Sequence, residues 1–296
     1  MRVPEPDIER GSWVSAGTTL DYQIEGAGPP VLMLMGLGCP GEGWRPQIDA
    51  LKGTFRTIAP DQRGTGRTAQ WRRPIRVPEL ARDALRLLDH LGIERAHVMG
   101  VSMGGMVSLE LAGRWPERVD RLVLGAAPVV ANAHVRLTTL GIARDAALAF
   151  PRGGLRAARD AVEAAWRPLV FNGQLEGEAA RFVDEQMAAF DDPRASYGVT
   201  AQAAAVFLHD ASRWARRIRA PTLVVAGSHD RMIPAAAVCR AAQAVRGSRL
   251  VFLEGAPHGF NVTHADAFNR LVLDFLTQAL PGSGRDPDRS DQMSRS

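Results

Sequence analysis

His97-Val98-Met99-Gly100-Val101-Ser102-Met103-Gly104-Gly105-Met106 is the stretch on which the reading of this chain turns. It enters as a strand and leaves as a helix. At its centre, Gly100-Val101-Ser102-Met103-Gly104 fits G-x-S-x-G, in which a serine sits on a sharp strand-to-helix turn. So tight a turn presses the serine's backbone against both elements. Side chains two before and two after would collide there, and glycine suits both positions. The hydroxyl then stands exposed above a sheet, at a helix N-terminus that favours developing negative charge. Such residues also make ordinary glycine-rich turns, so the rest of the chain has to decide.

The chain has 296 residues, of which 46% are hydrophobic, enough for one large α/β domain or two medium ones and too apolar for wholesale disorder. A net charge of +4 invites a nucleic-acid reading, but arginines are spread among acids with no basic block beside aromatic runs, which argues against one. Lys52 is the only lysine. Two distant cysteines, Cys39 and Cys239, form neither a disulfide framework nor a zinc site and suit a reducing cytoplasm. The N-terminus shows no apolar secretory segment, and no run of eighteen apolar residues spans a membrane.

Alternation over 13–20 and 21–26 predicts an antiparallel hairpin. A short continuous apolar run at 31–35 predicts a strand buried on both faces, and further strands are read at 55–60, 95–101, 119–124, 222–227 and 249–253. Helical spacing lies between most of them: from near Trp44 to Gly53, over 78–91, from Met103 to Trp115, over 234–246 and over 261–280. Such alternation predicts a mainly parallel sheet with helices on both faces. Residues 128–215 interrupt it with an Ala-rich helical insert carrying Phe150, Trp166, Phe171, Phe182, Phe190, Tyr197 and Phe207. The core is therefore read as 1–127 plus 216–280, the insert as a cap, and 281–296 as a disordered tail.

In a parallel sheet ligands bind beyond the carboxyl ends of the strands. A nucleophilic serine needs a base there, and the base needs a group to fix its tautomer. The strand at 222–227 runs into Ser228-His229-Asp230, and the strand at 249–253 into Pro257-His258-Gly259. Asp230 and His258 thus stand at later strand ends, in the order Ser, Asp, His that such sheets use. His229 is a rival base, but it directly precedes the acid and its ring would tend to point away from it. Asp210 is the rival acid.

With these residues in order, together with the Gly-rich loop at 36–43 and Asp61-Gln62-Arg63-Gly64-Thr65-Gly66-Arg67, residues 13–280 resemble the α/β-hydrolase superfamily. The resemblance implies an eight-stranded sheet with a lid, and is nearest to enol-lactonases, non-haem haloperoxidases and small esterases. It implies Ser102 as nucleophile, His258 as base and then acid, and Asp230 as its orienting group. Backbone N–H donors for an oxyanion are implied at Met103 and Leu37. The usual histidine before the glycine of that loop is replaced by Met35, which leaves open how the loop is braced. Serine rather than aspartate at the turn points to acyl chemistry. Trp44, Met103, Ile233 and Phe260 are candidate pocket residues, and their character implies a small hydrophobic organic substrate. No metal cluster appears, and the Gly-rich loop lacks the phosphate-binding patterns, so no cofactor is expected. The favoured expectation is a cofactor-free serine hydrolase of esters or lactones. The alternatives are acyl elimination, cyclisation or carbon–carbon cleavage on the same triad, or a non-catalytic receptor.

Overall fold

In a computed structural model describing residues 8–68, 73–188 and 193–278, the strands through 31–34, 96–101, 119–125 and 222–227 are largely buried, whereas the edge strand at 249–253 is only half-buried, with Arg249 and Phe252 exposed. The tail expected over 281–296 lies outside the described residues. Eight strands make one sheet: β1 (Glu9–Ser15), β2 (Thr18–Glu25), β3 (Pro30–Leu34), β4 (Arg56–Pro60), β5 (Ala96–Val101), β6 (Val119–Gly125), β7 (Thr222–Gly227) and β8 (Arg249–Leu253). Their order is β1-β2-β4-β3-β5-β6-β7-β8. β1 and β2 are antiparallel to their neighbours and the other pairings are parallel. The hairpin turn lies at Ala16-Gly17, with Ser15 opposite Thr18. Thr18–Leu20 therefore belong to the second strand rather than the first. Both turn residues have positive φ, 49° and 77°, the conformation that matches a two-residue turn to strand twist.

Side chains alternate between two cores. Leu32 and Leu34 of β3 pack with α2 (Val77–His90), α3 (Met103–Arg114) and α8 (Ala235–Ala244), while Val31 and Met33 pack with α1 (Arg45–Leu51) and α10 (Ala265–Thr277). Each fully buried Leu, Val or Met contributes about 1.5–3 kcal/mol of transfer free energy. The single helix expected over 261–280 is broken at His264 (φ −125°, ψ 37°), leaving a short α9 (Phe260–Thr263) before α10.

Between β6 and β7 come α4 (Ala133–Phe171), α5 (Gly177–Ala188), α6 (Pro193–Phe207) and α7 (Ser212–Ala215). Gly153 and Gly154 are non-helical, the latter at φ 65°, and divide α4 into 133–152 and 155–171. The chain enters and leaves this insert side by side. Val130 and Asp210 form an antiparallel bridge, Ala131 N donates to His209 O (3.0 Å), and Ala211 N donates to Val129 O (2.9 Å).

A buried ion pair ties the first hairpin to the loop after β4. Arg63, wholly buried, makes a two-pronged contact with Asp83 of α2 and donates to Ser15 O (2.8 Å) and Thr18 Oγ1 (2.9 Å). Ser15 Oγ donates to the same carboxylate. Removing one partner of such a pair strands a charge in low dielectric. Asp83→Ala is expected to cost about 3–5 kcal/mol in urea unfolding, and Arg63→Met with Asp83→Leu to cost less than the single change. A single substitution costing under about 1 kcal/mol would show that the pair is effectively solvated.

Candidate active site

The turn at Ser102 is built by close approach. A Cβ on Gly104 would lie 1.8 Å from Leu34 O, and one on Gly100 would lie 2.3 Å from Gly104 O. Nothing larger than hydrogen fits at either position. Ser102 itself has φ 54° and ψ −120°, a conformation that L-residues rarely adopt, so local strain is stored at the residue presented to the cavity. Its N–H is anchored on Gly125 O (2.8 Å). Met103 is the first residue of α3, where the helix provides its N–H with no acceptor.

The loops after β7 and β8 bring Asp230 and His258 together. His258 Nδ1 lies 2.8 Å from Asp230 Oδ2, and the carboxylate side chain is 1% exposed. A carboxylate only accepts, so Nδ1 carries the proton and Nε2 is left with a lone pair. Asp230 Oδ1 accepts from the N–H groups of Met232 and Ile233, both at 2.8 Å. Three donors therefore fix the carboxylate in one orientation. The two rivals are placed elsewhere. His229 is exposed and its carbonyl accepts from Asn172 Nδ2 (2.6 Å), while Asp210 is exposed and accepts from Ser212 N (2.9 Å) at the start of α7.

Ser102 and His258 face one cavity of about 360 Å³. Its floor comes from the loop after β3 and from Val101, and its roof from α4, α5 and α6, with Trp166, Phe171 and Phe182 among the walls. No Asp, Glu, Lys or Arg lines it among the described residues. Burial pushes the Cys39 thiol on its wall up to about 11, so it stays neutral at physiological pH. Ile233 lines this cavity, but Trp44 and Phe260 do not, which corrects the expectation for both. Trp44 is fully buried in the core with Met33 and Ile48, and Phe260 turns inward against Phe268, ring centroids 5.1 Å apart. The Met103 side chain is buried in the opposite core. Of the other insert aromatics, Phe150 is exposed, Phe207 lies under the Arg136 guanidinium, Phe190 lies outside the described residues, and the side chain of Tyr197 is likewise not described.

The loop after β3 is a tight turn. Cys39 N donates to Gly36 O (3.2 Å) and Gly38 takes φ 77°, which glycine adopts without penalty. Gly38 N donates to Gln202 Oε1 (2.8 Å). Among the described residues the Leu37 N–H has no protein acceptor, and Leu37 lines the cavity beside Ser102. Two glutamines outside the predicted site residues brace this turn. Gln62 Nε2 donates to Met35 O (2.7 Å), and Gln202 reaches in from α6. Asp61 adds a third tie by accepting from Gly41 N (2.8 Å) and Arg67 N (2.9 Å).

A family model described as the alpha/beta hydrolase fold matches residues 29–265. The chain belongs to the α/β-hydrolase family. It is 35% identical over 269 residues to the "Putative carbamate hydrolase RutD" of Variovorax paradoxus, covering 89% of this chain and 98% of that protein. Among solved structures, it is 29% identical to a hydrolase from Pseudomonas aeruginosa PA01 (TM-score 0.79, covering 91% of this chain and 98% of that one). It is also 29% identical to the enol-lactonase from Burkholderia xenovorans LB400 (TM-score 0.76, covering 90% and 100%). This α/β hydrolase is therefore an enzyme of hydrolytic type. No helix among its described residues is long and apolar enough to cross a membrane, and among them no group of three or more His, Cys, Asp and Glu could hold a metal ion.

Proposed function

We propose that this hydrolase cleaves neutral, apolar esters or lactones through an acyl-enzyme on Ser102, without a cofactor. The observation that carries the reading is a strained serine and a carboxylate-backed histidine opening on one charge-free cavity. His258 Nε2 takes the Ser102 proton as Oγ bonds to the carbonyl carbon. The oxyanion is held by the Leu37 and Met103 N–H groups. Collapse expels the alcohol, which receives the proton from His258, and water repeats the sequence to release the acid.

The relatives named for carbamate hydrolysis suggest a second reading, in which a carbamoyl group takes the acyl position. A free carbamate anion would find no cationic side chain among the lining residues and would fill little of about 360 Å³. A neutral carbamate ester meets neither objection and uses the same steps.

The test compares p-nitrophenyl hexanoate with the p-nitrophenyl half-ester of a dicarboxylic acid of similar length. Burying an unpaired carboxylate is costly, so kcat/KM for the charged ester is expected to be at least about 100-fold lower. Equal rates would sink the neutral-substrate assignment. Mass spectrometry after a fluorophosphonate probe should find the adduct on Ser102, and an unlabelled serine would remove the acyl-enzyme itself.

A further inference from the structure

Gln202 is completely buried in the middle of α6, a helix of the insert, and both ends of its amide are used. Oε1 accepts from Gly38 N at 2.8 Å, and Nε2 donates to Arg63 O at 2.7 Å. One partner is a donor and the other an acceptor, so only one orientation of the amide satisfies both. It is not among the residues lining the cavity, although Val199, Ala203 and Val206 of the same helix are. Beside it the helix touches the core backbone to backbone. Gly198 and Gly64 are so close that a Cβ on Gly198 would lie 2.2 Å from Gly64 O. The helix is therefore seated on the loop after β4 and, through Gln202, on the turn that carries Leu37.

We propose that Gln202 is a positioning residue. By holding the Gly38 amide, it sets the direction of the neighbouring Leu37 N–H, so that the insert completes the oxyanion site and does more than cover the substrate. The inference rests on the serine-hydrolase reading above. Hydrogen-bond donors stabilise a transition state only where they are aimed at the developing oxyanion, and a turn freed at Gly38 loses that aim while its apolar walls still bind substrate.

Two variants test it, with the full chain and p-nitrophenyl hexanoate. Gln202→Met keeps the volume and loses both hydrogen bonds. It is expected to lower kcat by about 10- to 100-fold, leave KM within about threefold, and weaken an alkylboronic acid, which mimics the tetrahedral adduct, in step with kcat/KM. Gln202→Glu supplies a second readout. Protonated, its carboxyl accepts from Gly38 N and donates to Arg63 O as glutamine does. Ionised, it faces Arg63 O with no proton. Burial among these partners raises a carboxyl pKa, so Gln202→Glu is expected to work near wild-type rate at neutral pH and to lose activity on an alkaline limb that the wild type lacks. A folded Gln202→Met with unchanged kcat, or one that changes only KM, overturns the proposal. Should that variant not fold, a Gln202→Glu profile that follows the wild type overturns it as well. Failure of the underlying reading is recognised separately, because wild-type Ser102 would then not take the fluorophosphonate.

Discussion

Ser102→Ala is expected to reduce ester turnover by about 10⁴- to 10⁶-fold and to abolish fluorophosphonate labelling. Cys39, the other candidate on the cavity wall, is held as a neutral thiol by burial. What survives should be the binding contribution of an intact cavity, so KM is expected to change little. A second substitution separates strain from chemistry. At φ 54° and ψ −120°, alanine inherits the backbone cost that serine bears, whereas glycine escapes it. Ser102→Gly is therefore expected to be equally inactive but more stable than Ser102→Ala by about 1 kcal/mol, read as a shift in urea midpoint at constant slope. An alanine variant with more than about a tenth of wild-type activity would exclude Ser102 as nucleophile.

Asp230→Asn is expected to lower kcat by about 10⁴-fold with the fold intact. The reason lies in the three donors around the carboxylate. Met232 N and Ile233 N both point at Oδ1, so an asparagine would place its carbonyl oxygen there. Its NH₂ would then face His258 Nδ1, now 2.8 Å from Oδ2. The imidazole would have to accept at Nδ1 and carry its proton on Nε2, the tautomer that cannot take a proton from serine. Circular dichroism and melting temperature should stay close to wild type, since the loop keeps its two backbone contacts. A fall of less than tenfold would mean that His258 is oriented by something else. His229→Ala provides the comparison, since that side chain is exposed and its backbone, not its ring, makes the contact with the insert.

Much of this architecture was legible because local and global signals agree. The runs at 31–34 and 223–227 have no polar side chain, and each is buried on both faces in a parallel sheet. Gly100 and Gly104 were readable because a tight turn leaves room for nothing else. Trp44 and Phe260 were misplaced for a physical reason. Nearness to a motif and apolar character do not tell a pocket wall from a core, and the direction of each side chain depends on a short helix whose pitch the motif does not set. The hairpin boundary moved by the choice of turn residues, with Ala16 accepting a positive φ that glycine would ordinarily take. Gln202 left almost no trace. It is one polar residue in the run Ala201-Gln202-Ala203-Ala204-Ala205, and its two partners lie 164 and 139 positions away.

The bridge between Val130 and Asp210 has a consequence for how such an enzyme diversifies. Because the insert starts and stops at adjacent points, it can be treated as a cassette whose exchange need not disturb the strand order on either side. Yet it is a cassette with fixed terminals. Val170 O receives the N–H of Gly259, next to His258, and Gln202 receives that of Gly38, next to Leu37. A foreign insert would bring its own walls and hence its own preference for acyl group, but unless it reproduced those two acceptors the old chemistry would run out of alignment beneath the new specificity. Grafting experiments on this scaffold should therefore carry both contacts across as part of the graft.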